Sequence, residues 1–105
     1  MKTRIVNVSC EAYDVFIGRP SRWGNPFSIG IDGNRKEVIE KYERWLNGEI
    51  EAPKHHHWYI PPTKEEILTL RGKTLGCFCK PKDCHGDIFL KIIEKYEVEK
   101  FMKGD

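Results

Sequence analysis

One short stretch, Leu75–Asp87 (LGCFCKPKDCHGD), restricts the fold of this chain more than any other. It begins as an apolar run, is broken by Pro81, and leads into an apolar segment with helical spacing that starts at Ile88. A strand, a turn and a helix are therefore expected in immediate succession. Cys84 and His85 fall at or near the first turn of that helix, where free amide N–H groups and the helix dipole favour thiolates and anions. The stretch indicates a functional site at a strand-to-helix junction.

Composition indicates one folded domain. The chain has 105 residues, of which 39% are hydrophobic and 11% aromatic, enough for a single core. Its net charge of +2 is too small to indicate nucleic-acid binding by itself. No apolar run approaches the roughly 20 residues of a membrane span, and the N-terminus lacks the apolar segment of a signal peptide. We therefore expect a cytoplasmic protein without a membrane partner, in which clustered cysteines indicate metal or thiol chemistry rather than disulfides.

β-branched runs and amphipathic segments make up most of the chain. Strands are predicted for three segments: Thr3–Val8, Tyr13–Ile17 and Thr74–Cys79. Helices are predicted for three others: Arg35–Asn47, Thr63 to about Arg71, and about His85 to Tyr96 with an extension toward Phe101. Asp32 or Asn34 can cap the first helix and Gly48 stops it, and Thr63 opens the second with capping-box spacing. The order β-β-α-α-β-α predicts an α/β fold, one small domain over residues 1–105 in which helices pack on a short central sheet as a sandwich. Residues 49–62 lack periodicity and are predicted to be a variable connecting loop.

Two kinds of chemistry fit the cysteine-rich stretch. The first is metal binding, because thiols and imidazole in a C-x-C-x4-C-H spacing are ligand types of zinc, with an iron–sulfur cluster as a less favoured alternative. The zinc ligands would be Cys77, Cys79, Cys84 and His85. The second is catalysis by Cys84, whose pKa is expected to fall at a helix N-terminus, with His85 as acid or base and Asp87 beside it. Alternatively, one of Cys77 and Cys79 is a small core residue.

The loop Gly18–Phe27 (GRPSRWGNPF) is a second candidate segment, because its glycines and prolines fit no regular element. Arginine binds phosphate through paired N–H donors, tryptophan offers a flat surface on which a base stacks, and asparagine presents both a donor and an acceptor to a base edge. The candidate ligand-binding residues are Arg19, Ser21, Trp23 and Asn25, with Gly86 from the first stretch. The same composition also fits an ordered loop with a purely structural role.

His55-His56-His57 looks like a metal-binding tract, but it lies inside the predicted connecting loop. Side chains of consecutive residues in an extended chain point to opposite sides, so the three rings cannot all face one metal. We expect a solvated loop here.

The two candidate segments together resemble a known family. The pairing of GRPSRWGNPF with LGCFCKPKDCHGD resembles the small microbial and phage proteins of domain-of-unknown-function family 4326. The resemblance covers nearly the whole chain and leaves Cys10 and residues 49–62 outside its motifs. It implies no particular reaction, because the activity of that family is unassigned.

The two segments are expected to converge on one pocket at the ends of the strands, where open α/β sheets place their ligands. The leading hypothesis is a small enzyme for a phosphorylated, base-containing ligand, either a nucleotide or a nucleotide within a nucleic acid. Arg19 and the Gly86 turn would hold phosphate, and the loop's tryptophan and asparagine would hold the base. Cys84, His85 and Asp87 would carry out a reaction of unknown type. The alternative is a non-enzymatic module that binds nucleic acid around a structural zinc or docks onto another protein.

Overall fold

The computed structural model describes residues 2–102 and contains a three-stranded parallel sheet. Its strands are β1 (Arg4–Asn7), β2 (Val15–Phe16) and β3 (Thr74–Cys77). Its helices are α1 (Arg35–Leu46), α2 (Lys64–Leu68) and α3 (Gly86–Met102), and Lys54–His56 form one 3-10 turn. The predicted α/β class and the order β-β-α-α-β-α are confirmed. The predicted single domain also includes positions 1 and 103–105, which lie outside the described residues.

β3 lies in the centre of the sheet, although it is the last strand in the sequence. The spatial order is β1-β3-β2. Residues 4–7 of β1 pair with residues 74–77 of β3, and β2 pairs with Leu75 and Gly76 on the other side. Because all pairs are parallel, the carboxyl ends of the strands meet at one edge of the sheet.

The central strand is shorter than predicted, since it ends at Cys77 rather than at Cys79. Beyond Cys77 the carbonyl oxygens of Phe78 and Lys80 accept hydrogen bonds from the Asn7 side chain, at 3.4 Å and 2.7 Å. A side chain at the end of β1 thus takes the place of a further strand pair, and the chain turns out of the sheet at this point.

Capping residues explain where the first two helices begin. The Asn34 side chain accepts the N–H of Glu37, and the Glu37 carboxylate accepts the N–H of Asn34, which is a capping box. Thr63 and Glu66 form the same arrangement at the start of α2. Gly48 follows α1 with a φ of 76°, a conformation that stops a helix and that glycine adopts without strain. These three local predictions are confirmed.

Of the other two helix C-termini, that of α2 differs from the prediction and that of α3 agrees with it. After Leu68 the chain continues to Arg71 through i→i+3 hydrogen bonds, so α2 ends earlier and a tighter turn follows it. α3 runs past Tyr96 to Met102, as the predicted extension indicated. None of the helices within residues 2–102 has the length and apolar character needed to cross a membrane.

The two faces of the sheet are covered differently. Leu75 and Cys77 belong to the main core, together with buried residues from all three helices. Gly76 lies between them and points to the opposite face, because successive strand residues alternate. A Cβ at Gly76 would lie 2.7 Å from Tyr13 Cγ and 2.8 Å from Val8 Cγ1. The segment between β1 and β2 therefore passes closely over this second face.

Candidate functional site

A cavity of about 460 Å³ lies at the carboxyl ends of β2 and β3. The loop that follows β2, the turn that follows β3 and the first turns of α1 form its walls. Its polar and reactive lining residues include Arg19, Asn25, Arg35, Cys79, Cys84 and His85. The two sequence segments thus meet where parallel strands end, because β2 and β3 are neighbours in the sheet and each is followed directly by one segment.

Two guanidinium groups reach this cavity from different elements. Arg19 Nη1 donates to Ser28 Oγ at 2.7 Å, and Arg35 Nη1 donates to the carbonyl of Asp83 at 3.0 Å. Arg35 was missed by the sequence reasoning. Its signal was its place as the first helical residue after the Asn34 cap, where the helix dipole favours anions and a cation adds to that effect.

The three clustered thiols have distinct environments. Cys77 ends β3 in the core, Cys84 is buried, and Cys79 is partly exposed. The Cys84 thiol and then the Arg35 guanidinium hydrogen-bond to Cys79 and lower its pKa to about 5, against the opposing effect of partial burial. The pKa of Cys84 is raised, first by its pairing with Cys79 and then by burial.

The prediction that Cys84 carries the lowered pKa is therefore wrong. The helix N-terminus does contribute as expected, since the Gly86 N–H donates to Cys84 Sγ at 3.3 Å and lowers the pKa of that thiol. Burial and the neighbouring Cys79 outweigh this single donor. The thiolate of the pair is Cys79, which the sequence reasoning treated as a metal ligand or a core residue.

His85 is held as a neutral ring. Its Nε2 lies 2.7 Å from the carbonyl oxygen of Ile17, which can only accept, so Nε2 carries the proton. Burial lowers the pKa of His85 to about 4, although hydrogen bonds to the Ile17 and Trp23 carbonyls oppose this. Nδ1 is then unprotonated and lies 3.9 Å from Cys84 Sγ. These contacts suit a residue that positions the end of β2 and Cys84, and they leave no Nε2 proton free for a ligand.

Asp87 and Gly86 build the turn that opens α3. The Asp87 carboxylate accepts the N–H of Cys84 at 3.1 Å and pairs with Lys80 Nζ at 3.2 Å. The Gly86 N–H also bonds to the Cys84 thiol, so the side chains of Cys84 and Asp87 both accept N–H groups at the start of α3. The contacts of both residues lie within the turn, so the predicted roles of Asp87 in catalysis and of Gly86 in phosphate binding gain no support from them.

Trp23 does not offer its ring to a ligand. The ring packs edge-to-face on Phe89 with centroids 5.9 Å apart, and the Trp23 carbonyl accepts the Tyr42 hydroxyl at 2.9 Å. The predicted base-stacking role of Trp23 gains no support, because its ring packs against the core and is not part of the cavity lining. Ser21 Oγ accepts the N–H of Trp23 at 3.3 Å and shapes the same loop.

Asn25 lines the cavity, but its side-chain amide is already hydrogen-bonded to the backbone through both its nitrogen and its oxygen. Its Nδ2 donates to the carbonyl of Val38 at 3.0 Å, and its Oδ1 accepts the N–H of Phe27 at 2.9 Å. These bonds tie the loop to α1. Of the predicted ligand-binding residues, Arg19 therefore keeps the most donors free for a ligand.

Of the histidine triplet, His55 and His57 are exposed and His56 is half-buried. His56 Nδ1 lies 2.7 Å from the carbonyl of Pro26, and His55 Nε2 lies 2.8 Å from Asp32 Oδ2. The exposure of His55 and His57 agrees with the expected solvated loop, whereas His56 packs on the first loop. Only the fold brings the two segments together, and the sequence contains no signal for the contact.

Cys77 and Cys79, two of the side chains proposed as zinc ligands, both lie close to Cys84. Within residues 2–102, no three Cys, His, Asp or Glu side chains are placed to hold a metal ion. The Nε2 of His85 is bonded to a backbone carbonyl, and Cys77 is enclosed in the core. The zinc and iron–sulfur hypotheses receive no support from this geometry and stay predictions.

Comparison with known proteins identifies the family. The family model described as domain of unknown function DUF4326 matches residues 2–95. The chain belongs to this family. The match to DUF4326 spans both candidate segments and every residue that lines the cavity. The resemblance inferred from the two motifs is therefore confirmed.

Two viral proteins are similar to this DUF4326 chain. One is the uncharacterized 12.4 kDa protein in the nrdA-td intergenic region of Enterobacteria phage T4, which is 37% identical over 97% of this chain and 87% of its own length. The other is uncharacterized protein R718 of Acanthamoeba polyphaga mimivirus, 31% identical over 82% of this chain and 73% of its own length. No solved structure matches the chain significantly.

Proposed function

We propose that this DUF4326 protein is a small enzyme that binds a phosphorylated, base-containing ligand in the cavity and uses Cys79 as its nucleophile. The observation that carries the proposal is the sharing of one cavity of about 460 Å³ by two guanidinium groups, Arg19 and Arg35, and the Cys79 thiol. A cavity of this size accommodates a ligand of nucleotide size.

The two arginines are suited to hold a phosphate. Arg19 donates to Ser28, and Arg35 donates to the Asp83 carbonyl and to Cys79, whereas a guanidinium has five N–H donors in all. The remaining donors can meet phosphate oxygens in pairs. The N-terminus of α1 adds the positive end of a helix dipole at Arg35.

Phe78 is better placed than Trp23 for the base-stacking role. Its ring lies at the cavity, is 67% exposed, and presents a flat surface for a base. The adjoining wall is apolar and includes Phe27, Ile29, Val38 and Ile39. A base could therefore lie over Phe78 while its phosphate faces the arginines.

Cys79 is the group best suited to react with the ligand. It is partly exposed at the cavity, and hydrogen bonds from Cys84 and Arg35 lower its pKa to about 5, so the thiolate predominates at pH 7. A thiolate beside a bound ligand is a strong nucleophile. Cys84 supports the thiolate by donating its single S–H to Cys79.

Replacing Arg35 with glutamine is expected to weaken the binding of nucleoside monophosphates. A charge-assisted hydrogen bond contributes about 2 kcal/mol, so the Kd should rise roughly 30-fold. Titration calorimetry with the four ribonucleoside 5′-monophosphates and with inorganic phosphate measures this. Arg44→Gln is the matched control, because Arg44 lies in the last turn of the same helix and pairs with Glu49. Absence of binding by the unaltered protein, or equal binding by Arg35→Gln, would contradict the proposal.

Alkylation of Cys79 should titrate at unusually low pH. With a thiol pKa of about 5, the rate with iodoacetamide is expected to reach its plateau by about pH 6, whereas an unperturbed thiol titrates near pH 8.5. Peptide mapping by mass spectrometry separates Cys79 from the exposed Cys10. Arg35→Gln should move the midpoint upward, because it removes a cation that stabilises the thiolate. A midpoint near that of a free cysteine peptide would show that Cys79 is an ordinary thiol.

A further inference from the structure

Three aromatic side chains form a continuous row on the sheet face opposite the helices. Phe16 lies between the other two, with ring centroids 5.5 Å from Phe78 and 6.4 Å from Tyr13. Phe78 is 67% exposed and Tyr13 44% exposed, and Phe16 is partly exposed. Tyr13, Phe16 and Phe78 are called the aromatic row below.

Two glycines beneath the aromatic row leave room for its rings. A Cβ at Gly18 would lie 2.6 Å from Phe16 Cζ, and a Cβ at Gly76 would lie 2.7 Å from Tyr13 Cγ. Both rings thus sit where any larger residue would displace them. Two of the three rings of the aromatic row are therefore packed against the backbone of the domain.

The aromatic row is continuous with the cavity. Phe78 is both the first ring of the row and a lining residue of the cavity, and Gly18 lies both under Phe16 and in the cavity lining. A ligand that enters the cavity with one base on Phe78 therefore has further ring surface beside it, on rings whose planes are tilted by 76° between Phe78 and Phe16 and by 50° between Phe16 and Tyr13. A mononucleotide would leave Phe16 and Tyr13 uncovered.

We infer that the cavity takes a nucleotide within a single-stranded nucleic acid, whose adjoining bases stack along Phe16 and Tyr13. This inference rests on the proposed function and narrows its ligand from a nucleotide to a strand. Aromatic side chains hold unpaired bases through their open faces, with little dependence on sequence. In a duplex those faces are stacked on one another, so the row would not bind paired strands equally well.

The charges beside the aromatic row are compatible with a polyanion. The Asp14 carboxylate accepts the N–H of Thr74 at 2.8 Å, and Glu11 pairs with Arg4 at 3.5 Å, whereas the acidic residue Asp83 lies in the cavity lining beside the arginines. The cavity end of the row carries the two guanidinium groups. A strand would therefore meet its strongest phosphate contacts at the cavity and mainly stacking contacts along the row.

The extent of the row argues against a protein as its occupant. An aromatic side chain buries about 150–250 Å², so three partly exposed rings offer on the order of 300 Å². A stable protein interface needs about 800 Å² from each partner. A second copy of this chain is therefore a poorer fit than a flexible strand, which needs only successive flat surfaces.

Fluorescence anisotropy with a labelled single-stranded 12-mer of thymidines tests the inference. The unaltered protein should bind this strand at least tenfold more tightly than it binds thymidine 5′-monophosphate, and more tightly than a 12-base-pair duplex. Tyr13→Ala should weaken binding to the strand roughly tenfold, because stacking on one aromatic ring is lost. Tyr13→Phe keeps the ring and should restore the affinity. Phe101→Ala removes a ring that is 83% exposed near the end of α3 and should have no effect.

Failure of this inference can be distinguished from failure of the proposed function. Tyr13 stands two rings from the cavity, so Tyr13→Ala should bind thymidine 5′-monophosphate as the unaltered protein does. Retained monophosphate binding also shows that this variant is folded. If monophosphate binds but the strand binds no more tightly, or if Tyr13→Ala binds the strand equally well, the inference is overturned and the proposed function stands. A dimer that Tyr13→Ala converts to a monomer in sedimentation would likewise overturn it, in favour of a second copy.

Discussion

Replacing Phe89 with alanine is expected to lower the free energy of unfolding by about 3–5 kcal/mol. The Phe89 ring is fully buried and packs edge-to-face on three other rings. Its centroid lies 5.9 Å from that of Trp23, 5.8 Å from that of Tyr42 and 6.0 Å from that of His85. These neighbours belong to the loop after β2, to α1 and to the turn before α3, so one ring joins the three walls of the site.

Urea denaturation of the two proteins measures this loss. Phe101→Ala is the matched control in the same helix, because its ring is 83% exposed and its removal should change stability by no more than about 0.5 kcal/mol. Small domains are stable by only about 5–15 kcal/mol, so the Phe89 variant should also bind nucleotide poorly near room temperature. A decrease in the free energy of unfolding below about 1 kcal/mol would contradict a central role of this ring in the core.

Acidification is expected to destabilise the protein through His85. The pKa of His85 is about 4 in the folded protein and 6.5 in the unfolded chain. Between these two pH values the ring is therefore protonated in the unfolded chain and neutral in the folded protein. The stabilising contribution is complete above pH 6.5 and is lost as the pH falls toward 4. A difference of this size corresponds to about 3 kcal/mol, and the physical cause is the burial of the ring.

Unfolding free energies measured between pH 7 and pH 4 test this expectation. His85→Gln keeps an N–H donor for the Ile17 carbonyl but cannot titrate, so its stability should fall less steeply with acid. His57→Gln alters an exposed histidine and should keep the steep fall of the unaltered protein. Equal slopes for His85→Gln and the unaltered protein would assign the acid sensitivity to other groups.

Local signals in the sequence predicted the elements well. The Asn34 and Thr63 caps and the Gly48 stop depend on residues within one turn of each other, and all three were read correctly. The end of β3 was predicted at Cys79 instead of Cys77. It is set by Asn7, which lies far away in the sequence and hydrogen-bonds to the carbonyls beyond Cys77. The central position of β3 likewise depends on long-range pairing that no local pattern encodes.

The site was predicted in position but not in its residue environments. Two motifs after neighbouring parallel strands must lie close together, so the meeting of the two segments follows from topology. The lowered pKa of Cys79 depends first on Cys84 and then on Arg35, which is distant from Cys79 in sequence and reaches it only in the fold. Trp23 was ambiguous, because a tryptophan near a loop serves equally as a stacking surface or as core. Here the adjacent Phe89 decides in favour of the core.

The strand order β1-β3-β2 also has a consequence for how the chain folds during its synthesis. β1 and β2 each pair with β3, so neither has its sheet partner until residues 74–77 have left the ribosome. Such pairings have a large sequence separation, which slows folding. The arginine loop emerges early and the thiols late, and insertion of β3 joins them. Sheet and candidate site therefore form together once β3 has been synthesised, and a nascent chain stalled before β3 contains neither.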